Sequence, residues 1–424
     1  MKPLLVSTYD TFGGAARAAG RLHDGLRRSG VNSQMLVQKK LSADPDVLTC
    51  TPECISSAYH FARRVIDFAP LLPYRSVIRG IWSSGWFPDL TVSRINALRP
   101  DVVNLHWVGF GYISLAAICN IRSPLVWTLH DMWPFTGGCH YPDLSCRRYE
   151  QSCGACPLLS SRDVHDVSSR LWQQRRETLQ GTNLTIVSPS RWLADCAGQS
   201  SLLGGKRIEV IPNGIDTDLF QPMEKGAARR LLGLPQDRKV ILFGAVEAAR
   251  DPRKGFPALV RALETLHSSF AADEVVAVLF GSSHIPEGMG GRLPIRCMGI
   301  IGDDRRLSAL YAAADLFLAP SLQDNLPNTI MEAMACGTPC VAFASGGIPD
   351  LVQHGRTGAL CPVDDPEAFA VEVARLLKDP DLLATMGAES RKKALVEYRL
   401  ETVARRYLNL YEDISAKQRR LHQQ

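Results

Sequence analysis

The chain alternates short apolar runs, which predict strands, with longer stretches whose apolar residues recur at helical spacing. In the first half the strand-like runs cover residues 4–8, 33–37, 102–106, 125–129 and 185–187. After the first run a Gly13-Gly14 pair opens a predicted helix, in which five apolar side chains share one face: Ala15, Ala18, Ala19, Leu22 and Leu26. Strands that alternate with helices predict a parallel sheet with helices on both faces.

The second half repeats this alternation. Strands are predicted over residues 240–243, 275–280, 316–319 and 339–343, and helices over residues 255–266 and 307–314. The predicted fold class is therefore α/β, with two Rossmann-like domains. A strand end followed by turn residues, IPNGID at 211–216, marks the boundary between them. We expect an N-terminal domain over residues 1–207, a C-terminal domain over 208–398 and a final helix over 399–424.

Size and charge narrow the functional classes. A chain of 424 residues is too long for one compact core, and 46% hydrophobic with 21% charged residues is ordinary for a globular protein. A formal net charge of +5 suits an anionic small molecule or an anionic membrane surface and gives no indication of nucleic-acid binding. The first residues do not resemble a signal peptide, and no apolar run is long enough to span a bilayer, so a cytoplasmic location is expected.

The segment from residue 318 to 352 carries the strongest chemical signal. It places Asp324 and Glu332 eight positions apart around a predicted helix start, between two apolar strands. The free amides at a helix N-terminus bind anions, and a carboxylate inside the first turns can accept both hydroxyls of a ribose. We therefore predict a nucleotide-sugar site, with Glu332 on the ribose, Asp324 near the sugar, and the helix entry at the phosphates: Asn325, Leu326, Pro327 and Asn328.

A basic segment follows the first strand of the second half. Arg250, Arg253 and Lys254 lie beyond the strand over 240–243, at the end where parallel sheets bind ligands. Lys254 and one of the two arginines are predicted to clamp a diphosphate, whose departing charge must be neutralised when the sugar bond breaks. A lone Arg-Lys pair would more often belong to a solvated loop. Because Asp324 and Glu332 lie in the same half of the chain, the functional interpretation is favoured here.

The ordered set of motifs resembles a family 4 glycosyltransferase of the bacterial polysaccharide type. The matching segments run in family order: Gly13-Gly14, Thr128-Leu129-His130, Ser188-Pro189-Ser190-Arg191, IPNGID at 211–216, Arg253-Lys254-Gly255 and residues 320–342. The resemblance implies the GT-B fold, in which two Rossmann-like domains face each other across a cleft and the final helix crosses back to the first. It also implies retaining transfer from a nucleotide sugar, without a catalytic metal, and donor binding in the C-terminal half.

The resemblance assigns roles to further residues and exposes two departures. His130 would face the donor sugar or position the acceptor; the alternative is a strand-end histidine satisfied by Asp131, and His106 is taken as structural or peripheral. Gly13 and Gly14 would let the backbone approach diphosphate or acceptor, or form only a tight turn. The family has a glutamate where this chain has Asp324, and an arginine where it has Ala245. Arg250 or Arg253 is the candidate replacement for that arginine.

Four of the 12 cysteines lie close together, at positions 139, 146, 153 and 156. Four thiols within one short segment of a protein in a reducing compartment predict a structural tetrahedral zinc, held by Cys139, Cys146, Cys153 and Cys156. Two disulfides, four unrelated thiols and an iron–sulfur cluster remain as alternatives. No cofactor is expected for catalysis.

Residues 58–87 mix aromatic and basic side chains. Such a mixture suits the surface of an anionic bilayer, and Pro70 and Pro73 predict two short helices. The alternative is a helical pair packed on the N-terminal domain with its arginines in solvent. The residues concerned are Phe61, Ile66, Phe68, Trp82, Trp86, Phe87, Arg63, Arg64, Arg75 and Arg79.

Together these observations predict a retaining glycosyltransferase that moves a hexose from a nucleoside diphosphate sugar to a glycan or lipid-linked glycan, for a surface polysaccharide. It would act in the cytoplasm, with peripheral contact at the inner face of the membrane. The alternatives are a nucleotide-sugar epimerase or phosphorylase on the same fold, or a non-catalytic glycosyltransferase-like partner.

Overall fold

The computed structural model describes residues 1–51, 53–74, 80–88, 90–244, 251–285 and 293–421. The chain forms two compact units. The first comprises Met1–Pro212 together with the residues from Val403 onward, and the second comprises Asn213–Thr402. The sequence-predicted cuts after residues 207 and 398 lie close to these divisions.

The first unit is built on a seven-stranded sheet in which every neighbouring pair is parallel. Its order is β3-β2-β1-β4-β5-β6-β7. The strands are β1 (Pro3–Tyr9), β2 (Gln34–Lys39), β3 (Val47–Thr49), β4 (Val102–Leu105), β5 (Leu125–Thr128), β6 (Leu184–Ser188) and β7 (Arg207–Val210). The helices are α1 (Gly14–Arg28), α2 (Glu53–Phe68), α3 (Thr91–Leu98), α4 (Val167–Gln180) and α5 (Arg191–Gln199).

The second unit has a six-stranded parallel sheet of order β10-β9-β8-β11-β12-β13. Its strands are β8 (Lys239–Gly244), β9 (Val275–Phe280), β10 (Ile295–Cys297), β11 (Leu316–Ala319), β12 (Cys340–Phe343) and β13 (Gly358–Cys361). Its helices are α6 (Lys225–Leu232), α7 (Phe256–Leu266), α8 (Asp304–Ala313), α9 (Asn328–Ala335), α10 (Ile348–Leu351), α11 (Pro366–Leu377) and α12 (Pro380–Lys393). Both units are the α/β sheets that the sequence predicts.

Local sequence chemistry fixes the helix starts. Asp365 caps α11 by accepting a hydrogen bond from the Ala368 amide, and proline occupies the first helical position. Asp303 caps α8 in the same way, through the Arg305 amide. Because this cap precedes the first apolar residue, α8 begins three residues before the predicted start at 307.

The last helix, α13 (Leu400–Leu421), completes the core of the first unit. Its buried face packs with Leu5, Val37 and Val102 of the seven-stranded sheet; the helix residues concerned are Val403, Ala404, Tyr407, Leu410, Tyr411 and Ile414. Polar groups in this contact are paired, because the Asn104 side-chain amide donates to the Tyr411 hydroxyl over 2.7 Å.

Candidate active site

Lys254 and Asp324 form the centre of the candidate site in the second unit. The Lys254 Nζ lies 2.6 Å from Asp324 Oδ2, and both side chains are mostly buried. Lys254 ends a 3-10 turn, Pro252–Lys254, and Asp324 follows β11. Both residues line a pocket with about 450 Å³ of empty space, together with Gly244, Ser321, Pro327 and Thr329. The pocket therefore opens at the carboxyl ends of β8 and β11, where parallel sheets bind ligands.

Two glycines hold this pair in place. Gly255 has φ +65°, and a Cβ there would lie 1.8 Å from the Pro320 carbonyl oxygen. Gly346 has φ +52°, and a Cβ there would lie 1.9 Å from the Asp324 carbonyl oxygen. The Leu322 amide also donates to the Arg253 carbonyl over 2.7 Å. The turn that carries Lys254 and the backbone that carries Asp324 are thus fixed by close approach that only glycine permits.

The predicted arginine clamp has a different immediate partner. Arg253 makes two contacts with Asp251 of its own turn, Nη2 to Oδ2 at 2.7 Å and Nε to Oδ1 at 3.1 Å. The guanidinium is therefore engaged locally, and its role toward a diphosphate stays a prediction. Arg250, the other candidate, lies outside the described residues, as does Ala245.

Glu332 lies in the middle of α9 and is only 2% exposed. Its Oε2 accepts a hydrogen bond from the Tyr311 hydroxyl over 2.9 Å. Helix α9 starts at Asn328, within the predicted helix entry, with Pro327 at the capping position. Tyr311 was not among the predicted site residues, because a tyrosine inside an apolar helix such as α8 is typical of the hydrophobic core.

The rest of the helix entry is also well packed. Asn325 and Leu326 are buried, and Asn328 Oδ1 accepts from the Asn213 side-chain amide over 3.3 Å. Asn213 belongs to the IPNGID motif, so that motif contacts the helix predicted to bind phosphate. This contact within the second unit gives the motif a physical role that its sequence alone did not show.

In the first unit His130 is paired with His106. His106 Nδ1 and His130 Nε2 are 3.0 Å apart, so one donates and the other accepts, and the two rings stack. Burial lowers the pKa of His130 to about 4, although the Asp131 carboxylate raises it in part. Burial and the neighbouring His130 hold the pKa of His106 well below its usual value. Both imidazoles are therefore neutral near pH 7.

This pairing adds two contacts to the sequence expectations. His106 contacts His130 directly, which agrees with the structural role expected of it. Asp131 accepts a hydrogen bond from the Trp107 indole N–H over 2.8 Å and is hydrogen-bonded to the His140 ring over 2.6 Å. Burial alone would raise the pKa of Asp131, but His140 and the hydrogen bonds that Asp131 accepts lower it overall. An interaction between residues nine apart in an irregular loop leaves no periodic signal in a sequence.

The Gly13-Gly14 pair begins α1, as predicted. Gly13 caps the helix with φ +88°, and a Cβ at this position would meet nothing within 4 Å. The glycine is therefore needed for its backbone conformation, while the open space around it leaves room for another group. Whether that group is a diphosphate or an acceptor stays a prediction.

The four clustered cysteines line one pocket. Cys139, Cys146, Cys153 and Cys156 are all free thiols in this structure. Among the described residues, no three His, Cys, Asp or Glu side chains are already arranged to hold a metal ion. The predicted zinc thus stays a prediction at this point.

Comparison with known proteins agrees with this architecture. The model for "Glycosyltransferase Family 4" matches residues 12–219, and that for "Glycosyl transferases group 1" matches residues 237–379. A D-inositol 3-phosphate glycosyltransferase from Acidothermus cellulolyticus is 30% identical over 349 residues, covering 77% of this chain and 71% of the relative.

Solved structures resemble the whole chain. Sucrose-phosphate synthase from Thermosynechococcus elongatus has a TM-score of 0.67 at 19% identity, covering 98% of this chain and all of that one. Anabaena Alr3699/HepE, in complex with UDP and glucose, has a TM-score of 0.66 at 18% identity, covering 97% and 99%. The fold is that of GT-B glycosyltransferases, two Rossmann-like domains in one chain. This chain belongs to the family 4, group 1 glycosyltransferases and is a transferase, as its sequence motifs predict.

Proposed function

We propose that the protein transfers a hexose, with retention of configuration, from a nucleoside diphosphate sugar to a glycan or lipid-linked glycan of a surface polysaccharide. The observation that supports this most is the Lys254–Asp324 pair in the pocket at the strand ends of the second unit. The neighbour with UDP and glucose bound supports a nucleotide-sugar donor. The inositol-phosphate name of the relative supports a hydroxylated, sugar-like acceptor.

The pair provides one cation and one anion that a donor can separate. A diphosphate carries more negative charge than Asp324, so it would attract the Lys254 ammonium away from the carboxylate. Asp324 would then be released toward the sugar, where positive charge develops as the glycosidic bond breaks. Lys254 and the amides at the start of α9 would stabilise the departing diphosphate, and Glu332 would accept the ribose hydroxyls.

Retention is proposed to follow from attack on the face that the leaving group departs from. The acceptor hydroxyl oxygen bonds to the anomeric carbon as the bond from that carbon to the diphosphate oxygen breaks. The departing oxygen takes the hydroxyl proton, which leaves a glycoside of unchanged configuration and a nucleoside diphosphate. A neutral His130 suits hydrogen bonding to a sugar hydroxyl. Isolation of a glycosyl-enzyme on a side chain, formed without acceptor, would contradict this route.

A thermal-shift screen of nucleoside diphosphates and their sugars tests the donor proposal. A ligand at a hundred times its dissociation constant should raise the free energy of unfolding by about 2.7 kcal/mol. We expect one base to stabilise the protein and K254M to abolish most of that shift. The control K225M removes a lysine that pairs with Asp315 elsewhere in the same unit, and its shift should equal that of the unmodified protein. A screen without any stabilising nucleotide would contradict the proposal.

Peripheral membrane contact is proposed for the exposed face of α2. Phe61 is 70% and Val65 is 54% exposed, and Phe68 and Leu72 continue the same exposed stripe at helical spacing. Two members of the predicted aromatic and basic set are excluded: Trp82 and Arg63 are buried. Arg75 and Arg79 lie outside the described residues. In the part of the chain that the structure describes, no helix has the length and apolarity to cross a bilayer.

The predicted pair of short helices is instead one helix, α2, followed by a 3-10 segment, Ala69–Tyr74. The proposed contact is between the exposed face of α2 and the inner face of the cell membrane. Flotation with vesicles that contain anionic lipid tests it. We expect a Phe61→Ser, Val65→Ser variant to lose most of its binding. A Val371→Ser, Val396→Ser variant removes equally exposed apolar groups from the second unit and should bind unchanged. Equal losses in both variants would show nonspecific adsorption and contradict the proposal.

A further inference from the structure

A buried arginine that lacks a hydrogen-bond partner among the described residues adjoins the four cysteines. Arg175 in α4 is fully buried, and its Nε, Nη1 and Nη2 atoms make no hydrogen bond within the described part of the chain. Its guanidinium lies over the Trp133 ring, 5.1 Å from the centroid. A buried cation is costly unless an anion compensates it. The structure therefore implies negative charge close to Arg175.

The only nearby carboxylate, among the charged groups that act on Arg175 in the described structure, is already engaged. Asp67 accepts the backbone amides of Gly85 and Ser84, at 2.6 and 3.2 Å, and burial raises its pKa. The other groups whose charge would act on Arg175 are Cys153 and Cys139, and Cys153 has the larger influence. The sulfur atoms of the cluster are thus the best candidates for the missing anion.

The cysteines supply that charge only as thiolates. Neutral thiols and disulfides carry none. Cys139 and Cys156 are buried and Cys146 and Cys153 are partly buried, a setting that favours the neutral thiol. A soft or borderline metal cation ionises such thiols by binding them. Four thiolates around a divalent metal leave a net charge of about −2, which a neighbouring guanidinium offsets in part.

Backbone groups around the cluster also favour thiolates. The amides of Leu158 and Leu159 donate toward Cys156, and the amide of Gly137 donates toward Cys153. Amide donors of this kind stabilise negative sulfur and form the outer shell of metal–thiolate sites. The surrounding wall is apolar, formed by Leu71, Trp82, Leu159 and Leu171, and gives the ion a dry setting.

We propose that Cys139, Cys146, Cys153 and Cys156 hold one structural zinc ion, with Arg175 as its buried countercharge. Because these side chains are not yet arranged around an ion, binding requires the four thiols to turn into the cavity that they line. Four protein ligands leave no open coordination position, so the ion would not take part in transfer chemistry.

The ion would act on the loop that carries the neighbours of His130. Cys139 forms a β-bridge with Trp82 and precedes His140, which hydrogen-bonds to Asp131 and to Ser83. Fixing Cys139 therefore fixes His140, which in turn orients Asp131. In this arrangement the four cysteines and Arg175 are structural and positioning residues, without contact to substrate.

Metal analysis of the purified full-length protein tests the proposal. Protein made in zinc-supplied medium should contain about one zinc per chain and little iron. C153S and C156S should lose most of it, whereas C119S, which removes an exposed cysteine of the same unit, should keep it. After cobalt exchange the protein should show the absorption of tetrahedral cobalt–thiolate, and C153S should not.

Arg175 has its own test. R175M should lose zinc to a competing chelator about 10–100-fold more readily, as expected for loss of an outer-shell partner, and R175K, which keeps the charge, should recover part of this retention. If R175M does not fold, the proposal is still tested by the zinc content of the unmodified protein and by the loss of zinc from R175K to the chelator. Substoichiometric zinc, stoichiometric iron with sulfide, or disulfides in the intact mass under non-reducing conditions would each overturn the proposal.

Discussion

Asp324 carries the same charge as the glutamate that the family has at this position. Its side chain is held by the contact with Lys254. The 2.6 Å contact between Lys254 and Asp324 is mostly shielded from water. If one of the two charges is removed, solvent therefore does not fully compensate the other. The carbonyl of Asp324 accepts from the Gly347 amide, which limits how far the residue can shift. The charge and reach of this one side chain should therefore decide whether the pair works.

Removing the charge of Asp324 should cost more than lengthening the side chain. We expect D324N to lower kcat by about 10²-fold, comparable to loss of one group that stabilises a transition state. D324E, which restores the residue type of the family, should stay within about 10-fold of the unmodified enzyme. Steady-state kinetics with the identified donor checks both. The surface control E389Q, which breaks a pair with Arg356, should change nothing; full activity in D324N would contradict the role of the carboxylate.

The His130–His106 pair should make stability fall at acid pH. The pKa of His130 is about 4 in the folded protein, below the ordinary 6.5 that it regains on unfolding. Its contribution is therefore complete above pH 6.5 and is lost as the pH falls toward 4, because the unfolded state then binds more protons. The slope is at most about 1.4 kcal/mol per pH unit for each histidine.

Urea unfolding between pH 7 and pH 4 measures this effect. The unfolding free energy of H130N should depend less steeply on pH than that of the unmodified protein. H165N, which replaces an exposed histidine of the same unit, should leave the slope unchanged. Equal slopes in H130N and the unmodified protein would show that other groups control acid unfolding.

The positions of individual residues in the fold were predicted best where the chain signals them locally. Gly13, Lys254 and Asp324 lie at strand–helix junctions, which apolar patterning locates well. The partners of the side chains were not predictable in this way. The Tyr311–Glu332 and Asp131–His140 contacts join residues whose proximity depends on how whole helices and loops pack.

At the scale of elements, the turn of residues 252–255 is a tightly constrained part of the site. It carries Lys254 and packs against the end of β11 through Gly255, whose hydrogen atom occupies the place where a Cβ would meet the Pro320 carbonyl. A side chain at Gly255 would force this turn away from the strand and separate Lys254 from Asp324.

Gly255 and Gly233 offer a matched comparison. Their φ angles are +65° and +66°, but a Cβ at Gly233 would meet nothing within 4 Å. G233A should therefore cost only the backbone strain, about 1–2 kcal/mol. G255A should cost clearly more and should also lower kcat. Urea unfolding and donor turnover measure the two effects. Equal losses of unfolding free energy in G255A and G233A would contradict the role of close packing at Gly255.

The strands missed by the sequence patterns lie at sheet edges. β3, β10 and β13 were not predicted, and β7 was indicated only by its end near Ile211. Edge strands pair on one side only, so they are short and need no unbroken apolar run. β7 and β10 illustrate this, since none of their residues is fully buried. The central strands, buried on both faces, were found within one or two residues of their bounds.

At the scale of the molecule, each unit has its own core and its own buried polar contacts. The first unit is completed by a helix from the far end of the chain, where the Asn104 amide donates to Tyr411. The second contains the contact between Tyr311 and Glu332. The number of sheets was predictable from the repeated alternation, whereas the registers and packing contacts depend on long-range geometry that no local pattern encodes.

Two tyrosine substitutions test whether the units are stabilised separately. Y411F deprives the buried Asn104 amide of an acceptor, and Y311F removes a donor from the buried Glu332 carboxylate; each should cost about 1–3 kcal/mol. Hydrogen exchange followed by mass spectrometry should show faster exchange in the seven-stranded sheet for Y411F and in the six-stranded sheet for Y311F. Each variant serves as the control for the other, because both remove one hydroxyl from a fully buried ring. Faster exchange in both sheets for either variant would mean that the two units unfold as one.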